Sequence, residues 1–124
     1  MNKSIMKHWI TAILCAAFIF YLSGRQSLGV PLFPYADKIL HIIAYAVLAF
    51  FISRALCKAH SVGYFNIILM GMFITGIYGL TDEVHQLFVP TRSADPFDLL
   101  ADFFGGLIGS IIYVQLSQGN KKRS

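Results

Sequence analysis

Charge is what this sequence has least of. Only 13% of its 124 residues are Asp, Glu, Lys or Arg, with six acids against ten bases. A soluble domain carries charge on about a quarter of its residues, so a water-facing surface is excluded for most of this chain. Cysteine is nearly absent too. Cys15 and Cys57 have no CxxC spacing, which leaves neither a disulfide framework nor a thiolate metal centre. The sequence has no glycine-rich phosphate loop, no HExxH pair and no GxSxG elbow, so nucleotide binding, zincin-type proteolysis and hydrolase-type acyl transfer lack their usual residues. Ser93 with His85 is left without an oxyanion loop.

What is abundant is apolar. Hydrophobic residues make up 56% of the chain, above the roughly 45–50% of soluble domains. They gather into four runs near the length of about 20 residues that a spanning helix needs. We therefore expect an all-α membrane protein, a single domain folded as a four-transmembrane-helix bundle, with helices over about 8–23, 38–56, 62–88 and 96–116. The opening MNKSIMKHW and the run after it resemble a secretory signal, but YLSGRQS is a poor cleavage site and Leu14 precedes Cys15, so an uncleaved first helix is expected.

The formal charge of +4 is distributed, not patched. With the N-terminus in the cytoplasm, Lys3, Lys7, Arg54, Lys58, Lys121, Lys122 and Arg123 lie inside and only Arg25, Lys38 and Arg92 lie outside. That is the asymmetry of the positive-inside rule. The acids played no part in that choice, yet all six fall on the outer side: Asp37, Asp82, Glu83, Asp95, Asp98 and Asp102. The expected placement is a cytoplasmic (inner) membrane with both termini cytoplasmic and the acids facing outward, in contact with the lipid bilayer and not with nucleic acid.

Ionisable residues at or within apolar spans are costly unless paired or wetted, so this group of acids is a site hypothesis by default. Asp37, His41 and Tyr45 follow one another at i, i+4 and i+8 on one face of the second helix. Asp37 alone reads equally as an N-cap, with the helix starting at about Lys38 and with Pro31 and Pro34 breaking any helix before it. At the end of the third helix Tyr78, Asp82, His85 and Gln86 share a face, while Glu83 points about a quarter turn away and has a solvated alternative. Val89 before Pro90 should end that helix. Arg92 either neutralises the acids or clamps an anionic group. Asp95 and Pro96 suit N-cap and N1, and Asp98 suits N3, but Asp102 lies a turn deeper than capping explains. Gly71, Gly76, Gly79 and the Gly105-xxx-Gly109 spacing are small-residue surfaces for close helix contact.

DKILHIIAYAVLAF followed by GLTDEVHQLFVPTRSADPFDLLADFFGGLIG resembles the VanZ-like family of bacterial membrane proteins, named after a protein associated with resistance to the glycopeptide teicoplanin. The family pattern falls on Asp37, Lys38, His41 and Tyr45, on Asp82, Glu83 and Gln86, on Pro90 and Arg92, and on Asp98 with Gly105, Gly106 and Gly109. Thr91 stands where glycine is common and Asp102 where asparagine is usual, which leaves open whether Asp102 is an acid or an amide's substitute.

The resemblance implies a multi-pass protein of the bacterial cell envelope linked to antibiotic resistance. Three classes of function follow. The first acts on a lipid-linked or cell-wall precursor, with Asp82, Glu83, Asp98, Asp102 and His41 as candidate catalytic groups and Asp37, Lys38, Tyr45, His85, Gln86 and Arg92 as candidate binding groups. The second is a non-catalytic interaction factor for an envelope protein, a precursor or a glycopeptide. The third is a divalent-metal-dependent membrane enzyme, although no sequence pattern marks metal ligands or calls for a cofactor. The orientation has a direct check: a reporter enzyme that is active only outside the cytoplasm, fused to the C-terminus, is expected to stay silent, and activity would invert the outward assignment.

Overall fold

The computed structural model describes residues 2–23, 36–89 and 96–123, and the side chains of all of these except 36, 37, 122 and 123. The chain forms α1 (Lys3–Ser23), α2 (Ala36–Ala59), α3 (Tyr64–Gln86) and α4 (Pro96–Arg123). At a rise of 1.5 Å per residue these helices are about 30–40 Å long, enough to cross a hydrocarbon core of about 30 Å. All four are long and apolar enough to span a membrane. The described residues contain no strand, and the architecture is the expected all-α four-helix bundle.

The helix ends differ from the expected ones because hydropathy registers the apolar run, whereas the helix is a hydrogen-bonded object that continues into polar residues. α1 starts at Lys3 and not at residue 8: the Asn2 side chain accepts the Ser4 backbone N–H at 2.8 Å, an N-cap bond. α4 runs past residue 116 to Arg123, with Lys121 standing over the Tyr64 ring at 5.6 Å from its centroid. α2 runs to Ala59 and not to 56. α3 begins at Tyr64 and not at 62, after an extended Gly63, and ends at Gln86 and not at 88. There Leu87, Phe88 and Val89 donate to Val84, His85 and Gln86, tightening the last turn into i→i−3 bonds before Pro90. α2 starts at Ala36, so Asp37 lies inside the first turn and not at the cap, where an acid is still favoured by the helix dipole. Pro96 opens α4 as expected, while Asp95, Arg92 and the loop holding Pro31 and Pro34 lie outside the described residues.

α2, α3 and α4 form the tightly packed part, with α4 seated against α2 and α3, and α1 lies mainly against α2. α1 is accordingly the helix most open to lipid, presenting Ile10, Ile13, Leu14, Phe18 and Tyr21 outward. Its inward residues Ala12 and Ile19 join Tyr45, Leu48, Ile52 and Leu56 in one apolar cluster, with Cys15 packed against it. A second cluster of Ile67, Tyr113 and Val114 includes Cys57 at its margin. Both cysteines are free and half-buried, in keeping with packing roles.

Glycine sets how close the helices come. A Cβ on Gly105 would lie 2.6 Å from the Ile42 carbonyl oxygen, and one on Gly109 would collide with the Ala46 backbone. Across Gly71, Ser53 Oγ donates to Ser110 Oγ at 3.0 Å, joining α2 to α4 where α3 leaves room for both hydroxyls. Gly109→Ala is expected to destabilise the bundle by about 1–3 kcal/mol through overpacking. Gly119→Ala, with nothing within 4 Å of the new carbon, should stabilise it by about 0.5–1 kcal/mol through helix propensity alone. Reversible unfolding of the two variants in mixed micelles checks the opposite signs.

Candidate functional site

The i, i+4 spacing of α2 and of α4 becomes a ladder where the two helices pack. Lys38 Nζ donates to Asp98 Oδ1 at 2.7 Å, and one turn further His41 Nδ1 lies 2.8 Å from Asp102 Oδ1. His41 Nε2 is also 3.9 Å from Asp98 Oδ2, so the imidazole sits between both carboxylates of α4. A further turn along α2, the Tyr45 hydroxyl donates to Asp82 Oδ2 of α3 at 3.0 Å. The His41 and Tyr45 rings are parallel, with centroids 5.9 Å apart. The polar stripe of α2 is therefore the shared partner of the acids on α3 and α4.

Burial makes these contacts consequential. Asp102 is fully buried and Asp82 is 2% exposed, and Glu83, Gln86 and Asp98 are buried as well. A carboxylate held in a low-dielectric span is costly unless charge-paired and hydrogen-bonded. Yet Asp82 Oδ1 and Asp102 Oδ2 are buried without a hydrogen-bond partner among the described residues. Gly79 is what admits Asp102: any side chain there would overlap its carboxylate. One ligand-type atom each from His41, Glu83 and Asp102 lies within 4.8 Å of the others.

A cleft of about 270 Å³ opens between α1, α2 and α3 beside this network. Ile19, Leu22, Leu40 and Ala44 make its walls apolar, while His41, Tyr45, Asp82 and Gln86 give it a polar lining. Gln86 Nε2 donates to Ser23 Oγ at 2.8 Å, closing the ends of α1 and α3 on each other. Deeper in, the Tyr78 hydroxyl donates to the Ala16 carbonyl oxygen. The arrangement offers an amphiphile an apolar wall for a chain and hydrogen-bonding groups for a head group, with an imidazole and carboxylates within reach for proton exchange.

Of the residues singled out from the sequence, Lys38, His41, Tyr45, Asp82, Glu83, Gln86, Asp98 and Asp102 come together at this end of the bundle. Glu83 is buried, not solvated, because α3 has neighbours on more than one side and the quarter turn takes Glu83 from one to another. His85 turns to α1, stacking on Phe20 with ring centroids 4.1 Å apart. Arg92 and the side chain of Asp37 lie outside the described residues. Ser23, Ser53 and Ser110, which the sequence pattern did not single out, are three buried hydroxyls that link helices. Their signal was available as lone hydroxyls in apolar helices, Ser53 and Ser110 facing a glycine.

The model of the VanZ/LLP1 family matches residues 3–117 of the chain. No curated protein and no solved structure matches it.

The Tyr45–Asp82 bond can be isolated in a double-mutant cycle. Tyr45→Phe strips Asp82 of its hydrogen bond and is expected to cost about 1–3 kcal/mol, with less lost in an Asp82→Asn background. A coupling of at least about 0.5 kcal/mol, read from unfolding in mixed micelles, is the expected result, and simple additivity would mean that the contact carries no stability.

Proposed function

The chain belongs to the VanZ/LLP1 family, and from that premise and the geometry of its polar cleft we propose that it binds or acts on an amphiphilic molecule of the bacterial cell envelope, a lipid-linked or cell-wall precursor. The observation that carries this reading is the juxtaposition of apolar walls with the polar lining of His41, Tyr45, Asp82 and Gln86. A bilayer-borne substrate with a polar head needs both surfaces in one place, at the depth of the first turns of α2 and α4. The distribution of basic residues supports an outward position for this end, in a cytoplasmic membrane with both termini inside.

Within that reading, His41 is the group to exchange a proton with a bound head group, since it lines the cleft and touches Asp102 behind it. Asp102 and Asp98 hold the ring from two sides, Tyr45 and Asp82 present hydrogen-bonding groups to the ligand, and Lys38 anchors Asp98. Arg92, which shortly precedes α4 in the sequence, is the remaining group for an anionic head, and Asp37 in the first turn of α2 is an acceptor for a hydroxyl or amide of the ligand. A molecule that draws on or masks the precursor pool would alter the response to glycopeptides, teicoplanin among them.

Cells carrying the protein are therefore expected to differ in teicoplanin susceptibility from cells without it. His41→Ala, Asp98→Asn and Glu83→Gln should lose at least most of that difference at unchanged membrane levels. Variants that are abundant and fully effective would remove the polar cluster from the function, and an unchanged wild-type response would remove the glycopeptide link.

A further inference from the structure

The three groups His41, Glu83 and Asp102 combine one imidazole and two carboxylates from three different helices, with donor atoms all within 4.8 Å of one another. Two of the three are buried, Glu83 at 7% exposure and Asp102 at 0%. Proximity of acids alone would argue little. A second feature points to an occupant: Asp102 Oδ2 is buried with no hydrogen-bond donor among the described residues. It is directed at α3, since a Cβ on Gly79 would overlap it, and Gly79 lies one helical turn before Glu83 on the same face. A fully buried anionic oxygen thus faces a second carboxylate, with the nitrogen of His41 2.8 Å from its sister oxygen. A cation seated between two carboxylates and an imidazole takes all three as ligands.

We propose that His41, Glu83 and Asp102 bind a divalent cation of the zinc or manganese class. Imidazole nitrogen with carboxylate oxygen is the donor set those ions take, at roughly 2.0–2.2 Å per bond for zinc. Donor atoms on a shell of that radius stand about 3–4 Å apart, so side-chain rotation of a fraction of an ångström to an ångström seats the ion. The Asp98 carboxylate lies 3.9 Å from His41 Nε2, beyond hydrogen-bond distance, and places a negative charge at the far edge of the ring. Three protein ligands leave coordination positions open to water or to an oxyanion. His41 is the one member of the three that also lines the cleft, so on the amphiphile reading above a bound head group and the ion share its imidazole as a common neighbour. The ion site itself stands on the ligand geometry and does not depend on that substrate.

The test reads the ion and not susceptibility, so that it fails separately from the proposed function. The full chain, purified in detergent and stripped with a chelator, is loaded with Zn²⁺ or Mn²⁺ alone and dialysed, and retained metal is measured by mass spectrometry. Stoichiometric retention is expected for the wild type and for Gly119→Ala. Asp102→Asn, Glu83→Gln and His41→Ala, which remove ligands themselves, should each weaken binding by at least the roughly 10–100-fold that loss of an outer partner costs. Circular dichroism establishes that each variant is helical before its metal content is compared. Because a variant can fail to fold, a measurement on the wild type decides independently: pulsed electron paramagnetic resonance of bound Mn²⁺ should show coupling to one histidine nitrogen, lost in His41→Gln. Retention far below stoichiometry, equal retention in folded ligand variants, or a Mn²⁺ signal without nitrogen coupling each overturns the site.

Discussion

A carboxylate inside a hydrocarbon span has to be met by a group from another helix, and that requirement fixes how this bundle is assembled. Asp102 sits a turn inside α4 and is met by His41, Asp98 at the mouth of α4 is met by Lys38, and Asp82 near the end of α3 is met by Tyr45. All three partners belong to the first three turns of α2. Leaving any of these carboxylates unmet would cost several kcal/mol, a sizeable part of the stability of a small bundle. Lipid is as apolar as leucine, so apolar contact alone discriminates poorly between helix partners in a membrane. The polar contacts therefore select the register, and the glycines permit it. Gly105 and Gly109 bring α4 onto the backbone of α2, Gly79 admits the carboxylate of Asp102, and Gly71 admits the two serine hydroxyls.

α1 stands apart from this scheme. It carries no acid, exposes most of its apolar side chains, and meets α3 through Tyr78 on the Ala16 carbonyl, Gln86 on Ser23 and His85 on Phe20. None of those links joins two charged side chains. A helix held by a few hydrogen bonds and an apolar seam can move more readily than one locked by ion pairs, because separating neutral groups strands no charge. The cleft lies between this helix and α2 and α3, of which α2 is tied to α4 by the ion pairs. Its apolar wall from Ile19 and Leu22 thus belongs to the helix most open to lipid.

Most of the fold was legible in the sequence because the bilayer reduces the problem to length and apolarity. Four runs of sufficient length in a chain with 13% charge admit few other architectures. The site was legible to the extent that helical periodicity governs it: His41 and Tyr45, Asp98 and Asp102, and Asp82 and Gln86 each share a face by spacing and converge in the structure. Glu83 and His85 show where that logic stops. Spacing says which residues on one helix are neighbours and not which helix each face meets, and α3 packs on more than one partner. Asp82 therefore reaches Tyr45, the adjacent Glu83 lies with His41 and Asp102, and His85 reaches Phe20 on α1. Helix ends escaped for a different reason, since Asn2 caps α1 and Lys121 stacks on Tyr64 beyond the apolar runs that hydropathy detects.

His41 belongs both to the cleft lining and to the group it forms with Glu83 and Asp102. One edge of its ring, Nδ1, meets Asp102, the other, Nε2, approaches Asp98, and its face lies parallel to Tyr45 along the cleft. An imidazole has only two nitrogens, so any group that engages it from the cleft must share or replace one of these carboxylate contacts. A ligand head group is for that reason felt at Asp102 and Asp98, and a cation held by Asp102 and Glu83 is felt in the cleft. Binding on the two sides of the ring is then linked by one side chain, and linkage of that kind is reciprocal: whatever factor the cation contributes to ligand affinity, the ligand returns to the cation.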